Sequence, residues 1–511
     1  MLSLLMDRKE MNLKERKMKK IAIIAILLLV CGIYGLFSAQ LMYASNVQVT
    51  NVQLLDVGNP PNYARIQFTL SQDNPFTPST GVDPQYDNNF YSDYIWVFVK
   101  YAVLKPDGTV DDTKGYQHAT LYRSGNTIPD GIKDYNSTTG EGVTTDFKGA
   151  FIKASNAPAG KTFSVYWQYV NDGVKTTDKV KIKVCAIEMV KIPQGNYWYG
   201  VGNPSVEGNS VTNYNPDNQV IPYQSSQTGY EIKNASSVSS GAAAGWPNGY
   251  NSFYLMKYEI SQGAYADFLN MLSTTEATNR FYVGKDHEYA ITLTSSNPYG
   301  QRYAAVVRPR ACNDLSWNDD MAYASWAGLR PMTEMEFEKA ARGTSTGPNA
   351  KARFPWGYTY PDQVDNPLYT PGGYCYPYDA YEYYTNLNDQ GNNVEGQDGP
   401  TNVGLYTSGD ITRTAAQTGV SPYGVADLAG NLWEQVINCS SKNTPLNGDG
   451  KIYTDYTSLG WPQASTTGMG LRGGGWAHGT WNLLISNRNV ALSIWGASRV
   501  SYFGFRCART P

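Results

Sequence analysis

The feature that most constrains the fold is one stretch, LSWNDDMAYASWAGLRPMTEMEFEKAARG, that carries two clear helix N-terminal signals close together. Ser316 followed by Asp319, and Thr333 followed by Glu336, have the spacing of a capping box, in which two side chains bind each other's backbone amides. Gly343 stands where a helix commonly ends, because glycine adopts left-handed backbone angles at little cost. The stretch therefore predicts two short helices.

A third helix is predicted after Ser261, because Tyr265, Phe268, Leu269 and Leu272 recur at the spacing of one helical face. The loops beyond these helices are rich in Gly, Asn, Asp and Tyr, and the chain has 49 Gly, 40 Tyr and 12 Trp with only 17% charged residues. This composition favours turns and aromatic packing over long charged helices. We expect much irregular structure around few regular elements.

The first part of the chain shows a different pattern, with short alternating or apolar segments separated by turn residues. The segments are VQVTNVQLLDV (47–57), ARIQFTL (64–70), YIWVFVKYAVL (94–104), FSVYWQYV (163–170) and KVKIKVCAIEMV (179–190). Alternation with β-branched and aromatic residues is typical of strands in a β-sandwich. We therefore expect an all-β sandwich domain over residues 45–184, acting as a spacer or interaction module.

The N-terminus predicts export. Basic residues from Arg16 to Lys20 precede an uncharged run, IAIIAILLLVCGIYGLFSA, that ends at Ala39. A basic segment, an apolar segment and small residues after it are typical of a secretory signal. The run is also long enough to remain as an anchor. Residues 1–44 are thus interpreted as a signal peptide or an N-terminal membrane anchor, and the protein as secreted or held in the cell envelope, with membrane contact through this segment only.

Charge and cysteine content exclude several classes of function. The net charge is −3 and no basic block follows the N-terminus, so we expect no nucleic-acid partner. Five cysteines remain after the leader, and none forms a C-x-x-C pair, so a zinc knuckle or thioredoxin motif is not supported. The sequence does not assign disulfide partners among them.

A series of blocks in the second part of the chain resembles a known family. The blocks are EMVKIPQGNYWYG (188–200), FYLMKYEISQGAYADFLN (253–270), the helix-start stretch (315–343), FPWG (354–357), YGVADLAGNLWEQ (423–435), LRGGGW (471–476) and GFRCA (504–508). In this order they resemble the formylglycine-generating (sulfatase-modifying factor) family, whose fold is a variant of the C-type-lectin fold. The resemblance implies an α+β fold with much irregular structure over residues 185–511.

The resemblance also shows where the chain departs from the family. Characterised members oxidise a sulfatase cysteine with oxygen and copper, and two cysteines shortly after the Gly-Gly-Ser-aromatic turn hold the metal, since Cu(I) prefers thiolates. Counted from GGGW, the matching positions here are His478 and Leu483. Cys507 alone does not rebuild the site. We therefore expect no catalytic residue and no copper, while an oxidoreductase with a non-standard metal site stays open.

A second branch of the family, the sulfoxide synthases of ergothioneine biosynthesis, binds iron through histidines of an extra helical domain. This chain has three histidines, far apart in sequence, and no such domain is predicted. We expect no iron site.

Structural calcium is the one metal that the resemblance supports. The family binds calcium in loops that include a G-N-x-W-E segment, which here places Asn431 and Glu434 as candidate ligands. Amide and carboxylate oxygens suit this hard cation. Asn366 is a candidate for a second site. The alternative is that these side chains only bind loop backbone.

The C-terminal forty residues suggest a binding face. Between the frame elements LRGGGW, SNR, Arg499 and GFR lie aromatic and apolar residues without periodicity. This arrangement resembles the variable region of target proteins of diversity-generating retroelements, which implies an exposed ligand-binding face. Its candidate residues are Trp476, His478, Trp481, Asn489, Ile494, Trp495, Val500 and Tyr502. The alternative is that the aromatic residues are core. Arg472 and Arg506 are interpreted as structural, bound to carbonyls or to carboxylates such as Glu434.

The leading hypothesis is an exported, non-catalytic recognition protein that binds an unknown extracellular protein or glycan. An oxidoreductase of the same family is the first alternative, and a structural cell-surface protein is the second.

Overall fold

Two long antiparallel strands, β3 (Asp93–Val103) and β9 (Val180–Ile192), form the centre of the larger sheet in the computed structural model of the chain. The structure describes residues 47–59, 61–72, 93–122, 132–154, 160–200, 230–236, 245–284, 289–346, 354–356, 399–404, 419–441, 443–464, 468–478, 480–488, 490–491, 496 and 498–511. The leader prediction for residues 1–44 lies outside these ranges.

The described residues contain four α-helices, which are α1 (Gln262–Leu269), α2 (Thr274–Arg280), α3 (Trp317–Trp326) and α4 (Glu334–Arg342). The other strands are β1 (Gln48–Leu55), β2 (Ala64–Ser71), β4 (Gln117–His118), β5 (Leu121–Tyr122), β6 (Gly142–Val143), β7 (Ala150–Lys153), β8 (Lys161–Trp167), β10 (Tyr197–Tyr199), β11 (Tyr230–Ile232), β12 (Phe253–Met256), β13 (Ile291–Leu293), β14 (Tyr303–Ala305), β15 (Arg330–Pro331), β16 (Trp433–Ile437), β17 (Met469–Arg472), β18 (Phe503–Gly504) and β19 (Cys507–Arg509).

The helix starts confirm the sequence predictions. Ser261 caps α1 by accepting from the amide of Ala264, and complete capping boxes open α3 at Ser316 and α4 at Thr333. Gly343 follows α4 with a φ of 85°, which an L side chain rarely adopts. The five segments predicted as strands lie in β1, β2, β3, β8 and β9. Helices and sheets together make the fold α+β.

Two larger sheets organise the molecule. A four-stranded sheet has the order β1-β2-β8-β5, and an eight-stranded sheet has the order β15-β19-β12-β9-β3-β7-β6, with β4 paired to β3. Because β12, β15 and β19 come from the second half of the chain, the eight-stranded sheet runs through both halves. Strand β9 itself crosses residue 184, where the sequence placed a domain boundary, and residues 44–511 form one unit.

Strand β3 is buried on both faces because each face packs against a different core. Ile95, Val97 and Val99 lie in a cluster with the four-stranded sheet. Trp96 and Phe98 point the other way, into a cluster that includes residues of α1 and α3. The apolar run of β3 thus reflects two-sided burial, which is typical of a central strand.

A smaller three-stranded sheet, ordered β17-β16-β18, carries the C-terminal loops. Strand β16 pairs antiparallel with β17 and parallel with β18. None of the helices in the described ranges is long and apolar enough to span a membrane. Cys185, Cys312, Cys439 and Cys507 are free thiols.

Candidate functional site

The candidate face lies at the edge of the three-stranded sheet, where a glycine turn follows β17. Gly473 and Gly474 have φ values of 92° and 78°, so the chain reverses with backbone angles that favour glycine. A Cβ on Gly474 would also lie 2.7 Å from a methyl group of Leu483. The turn brings the chain back so that the amide of Trp476 donates to the carbonyl of Asn431 at 2.8 Å.

His478 is the centre of an aromatic group on this edge. Its Nδ1 accepts a hydrogen bond from the indole Nε1 of Trp433 at 3.1 Å. Its ring stands edge-on to the ring of Tyr502, with centroids 4.5 Å apart. Trp433 is placed by β16, and its amide donates to the carbonyl of Tyr502 at 2.8 Å. The sheet therefore holds all three rings.

This geometry defines the state of the imidazole. Because Nδ1 of His478 accepts a hydrogen bond, the neutral ring carries its hydrogen on Nε2. Burial lowers the pKa of His478, while a backbone contact with Gly475 acts in the opposite direction. A pKa below the usual value keeps the ring neutral near pH 7, and the ring of Tyr502 against which it packs is half-buried.

Neither of the two positions that match the family's copper cysteines carries a thiol. Leu483 is 1% exposed and lies in a hydrophobic cluster with Phe354, Trp356 and Leu484. Within the described residues, no three His, Cys, Asp or Glu side chains are grouped so that they could hold a metal ion. Burial also raises the pKa of the Cys507 thiol well above its usual value, which disfavours the thiolate that copper requires.

Trp476 supports the face rather than lining it. The side chain is 3% exposed, and its indole donates to the carbonyl of Ser501 at 3.0 Å. It packs against Leu432, with Tyr502 at the edge of the same cluster. For this residue the core interpretation describes the structure better than the ligand-contact interpretation.

Several predicted site residues lie outside the described part of the chain. These are Asn366, Asn489, Ile494 and Trp495, and the side chain of Trp481, whose backbone is in a 3-10 helix from Thr480 to Leu483. Their assignment stays a prediction.

Glu434, the first calcium candidate, faces an arginine. Arg506 Nε donates to Oε2 of Glu434 at 2.8 Å, and Nη2 lies 2.7 Å from Oε1 as an ion-pair contact outside hydrogen-bond geometry. Burial raises the pKa of Glu434 even though Arg506 favours its charged form. The prediction that Arg506 is structural and binds Glu434 is confirmed.

Asn431, the second candidate, is also engaged. Its Oδ1 accepts from the amide of Thr401 at 2.9 Å, and its amide group donates to Glu259. Burial, together with the nearby Asp427 and Glu434, raises the pKa of Glu259 well above its usual value. Calcium at Asn431 and Glu434 stays a prediction, and a cation there would compete with these hydrogen bonds.

Sequence reasoning did not identify two residues that build the face. Trp433 fixes the orientation of His478, and the only available signal was its place in the G-N-x-W-E segment. Asp319 was assigned to a capping box, and it also binds Arg499 through two hydrogen bonds of 2.9 and 3.1 Å. That contact joins the start of α3 to the C-terminal loop.

Residues 181–511, which are more than half of the chain, match the family described as the sulfatase-modifying factor enzyme 1-like domain. The chain is similar to the formylglycine-generating enzyme of Thermomonospora curvata, with 37% identity over 120 residues, covering 24% of this chain and 30% of that protein. The similarity to the formylglycine-generating enzyme of Bos taurus is 26% over 210 residues, covering 36% and 48%.

A third relative is the hercynine oxygenase of Mycolicibacterium smegmatis, with 31% identity over 158 residues, covering 30% of this chain and 28% of that protein. The chain thus spans less than half the length of each of these curated relatives.

Proposed function

This chain belongs to the sulfatase-modifying factor family through residues 181–511, and from that premise we propose that it is an exported recognition protein that uses the family scaffold without a copper oxidase site. The C-terminal face would bind an extracellular protein or glycan. The N-terminal leader would export the protein or anchor it, and the β-sandwich of residues 45–184 would serve as its docking module.

The observation that carries this proposal is the environment of the two positions where the family has its copper cysteines. Leu483 has no donor atom and is part of a buried cluster. His478 uses Nδ1 to accept from Trp433, so one imidazole nitrogen at most could reach a metal. A two-coordinate thiolate site is therefore replaced by a neutral ring on a rigid aromatic support.

The surroundings of His478 suit recognition. The neutral His478 ring carries a hydrogen on Nε2, and it packs against the half-buried ring of Tyr502. A polar group set among apolar surface on a rigid frame is typical of binding sites. Variation of the loop residues around this frame would change the ligand without changing the fold.

Deep sequencing of the 3′ end of the gene from a population of source cells tests the proposal. We expect substitutions to concentrate at positions 477–482 and 489–502, with the LRGGGW and GFR blocks intact. Within this region, Gly496 and Arg499 should stay constant. A Cβ on Gly496 would lie 2.5 Å from the carbonyl oxygen of Ala464, and Arg499 binds Asp319. A uniform sequence, or equal variation at Gly496 and Arg499, would contradict the diversified face.

A second candidate function follows from the relatives. They are named formylglycine-generating enzyme and hercynine oxygenase, so an oxidoreductase with an unusual metal site is the alternative. Titration of the full chain with Cu(I) against a chromophoric chelator separates the two. We expect the wild-type chain to bind no stoichiometric copper through His478. Tight binding of one copper ion per chain that is lost in His478→Ala would favour the enzyme.

A further inference from the structure

The C-terminal end of helix α3 is closed by residues of the N-terminal part of the chain. The last carbonyls of a helix have no partner within the helix and need donors from elsewhere. Here Lys100 Nζ donates to the carbonyl of Trp326 at 2.6 Å. The indole of Trp96 donates to the carbonyl of Ala327 at 2.8 Å. Both donors lie on β3, on the face opposite the cluster that β3 shares with the four-stranded sheet.

The side chain of Lys100 is directed at the helix end. It is fully buried, it donates a second hydrogen bond to the carbonyl of Gly450 at 3.3 Å, and its Nζ lies 4.7 Å from the ring centroid of Trp326. These hydrogen bonds satisfy a helix-end carbonyl that has no partner within the helix. Burial lowers the pKa of Lys100 well below its usual value, and the neighbouring His118 is also kept neutral by burial.

A second link reaches the same helix end through the C-terminal strand. Arg509 donates to the carbonyl of Gly328, and its guanidinium also binds both oxygens of Asp146 at 2.6 and 2.7 Å. Asp146 belongs to the N-terminal part. Residues 93–150 are therefore linked to the end of α3 directly through Lys100 and Trp96, and through Arg509 by way of Asp146.

The opposite end of α3 holds the loop of the candidate face. Arg499 binds the carboxylate of Asp319 in the capping box. The amide of Trp317 donates to the carbonyl of Gly496 at 3.0 Å, and the amide of Asp314 donates to the carbonyl of Val500 at 3.3 Å. Val500 is two residues from Tyr502, which contacts His478.

We propose that α3 is a rigid link that positions the candidate face, and that Lys100 is a positioning residue acting through it. The helix has 10 residues, nine of them buried, and so spans about 15 Å. A close-packed helix transmits a displacement of one end to the other instead of absorbing it. The coupling is a property of the fold and does not depend on whether the face binds a ligand.

Hydrogen exchange of the full-length chain, read by mass spectrometry, tests the proposal. In Lys100→Met, which keeps the aliphatic stem, we expect exchange to rise about tenfold in peptides covering 313–317 and 498–503, as for loss of the two hydrogen bonds that Nζ donates. A peptide from α4 should keep its wild-type rate. Arg65→Ala is the matched control, because Arg65 pairs with Asp56 at the surface of the N-terminal part.

Trp96→Phe is the second variant, used if Lys100→Met does not fold, because it removes one neutral hydrogen-bond donor and keeps an aromatic ring. We expect the exchange rate to rise about threefold in the same peptides. The coupling must also be reciprocal. Arg499→Lys, which loses the two-pronged contact with Asp319, should raise exchange in the peptide covering 324–329. Wild-type rates at 313–317 and 498–503 in both β3 variants would overturn the proposal, and so would a uniform rise that includes α4.

Discussion

Replacing Glu334 with glutamine tests whether a buried ionic network holds the C-terminal strands onto α4. The carboxylate of Glu334 accepts hydrogen bonds from Arg488 Nε and Nη2, both at 2.7 Å, and from Arg472 Nη1 at 3.1 Å. Tyr199 Oη at 3.1 Å and the amide of Cys439 at 2.9 Å complete the set. Glutamine keeps the shape but turns an NH2 group toward these donors.

The magnitude follows from two independent arguments. Burial alone would raise the pKa of Glu334, but Arg488 and then Arg472 overcome it and lower the pKa from 4.5 to about 2. That difference corresponds to about 3 kcal/mol of stability for the charged form. Removing one partner of a buried ion pair costs about 3–5 kcal/mol, because the remaining charge is left uncompensated. We therefore expect Glu334→Gln to lose about 3 kcal/mol or more.

Urea unfolding of wild type and variant, followed by tryptophan fluorescence, measures the loss and its pH dependence. Because the folded-state pKa of Glu334 is lowered, its contribution is complete above about pH 4.5 and disappears as the pH falls toward about 2. The difference between wild type and variant should shrink across that window. Asp267→Asn is the control: its pair with Arg308 is about half exposed, and we expect a change below about 0.5 kcal/mol. A loss under about 1 kcal/mol at pH 7, or one that does not change with pH, would refute the reasoning.

Three further predictions concern other buried groups. Burial lowers the pKa of Lys339 from 10.5 to about 7, so the folded protein binds fewer protons than the unfolded chain between these pH values. The free energy of unfolding should therefore rise with pH in this range. Lys339→Met should abolish that rise in a pH series of denaturation curves. Gly496→Ala should destabilise by about 1–3 kcal/mol in the same assay, because the new methyl would meet the backbone of Ala464. Trp433→Phe should lower the free energy of unfolding by about 1 kcal/mol, because the indole hydrogen bond to His478 is lost. The nitrogen-15 resonances of His478 should then shift toward a mixture of tautomers. Unchanged resonances would show that the indole does not set the tautomer of His478.

The local chemistry of the helix ends made α1, α3 and α4 predictable. Capping depends on residues within one turn, so the sequence carries all the required information. The existence of β1, β2, β3, β8 and β9 was predictable as well, because alternation of residue types is a local pattern. Their pairing was not, because β9 reads as the end of one module, yet it pairs with β3 before it and β12 after it.

The candidate site was predictable in position but not in detail. The GGGW frame located His478 and Leu483, and the absence of cysteines at these positions was visible at once. The contacts of Trp433 with His478 and Tyr502 depend on the pairing of β16 with β17 and with β18, which joins residues distant in sequence. No local pattern encodes such a contact.

Lys100 shows most directly why the burial of an ionisable side chain is difficult to predict from the sequence. In YIWVFVKYAVL it is the one charged residue in an apolar run, and alternation would assign it to a solvated face of a sandwich strand. That face is instead covered by α3, whose carbonyl of Trp326 requires a donor. The lysine is buried because a helix more than two hundred residues later ends against it. The burial of Lys100 therefore cannot be inferred from the N-terminal part alone, because the carbonyl that it binds lies at the end of a helix in the C-terminal part. The two parts are joined in the same way by the eight-stranded sheet, which takes strands from both.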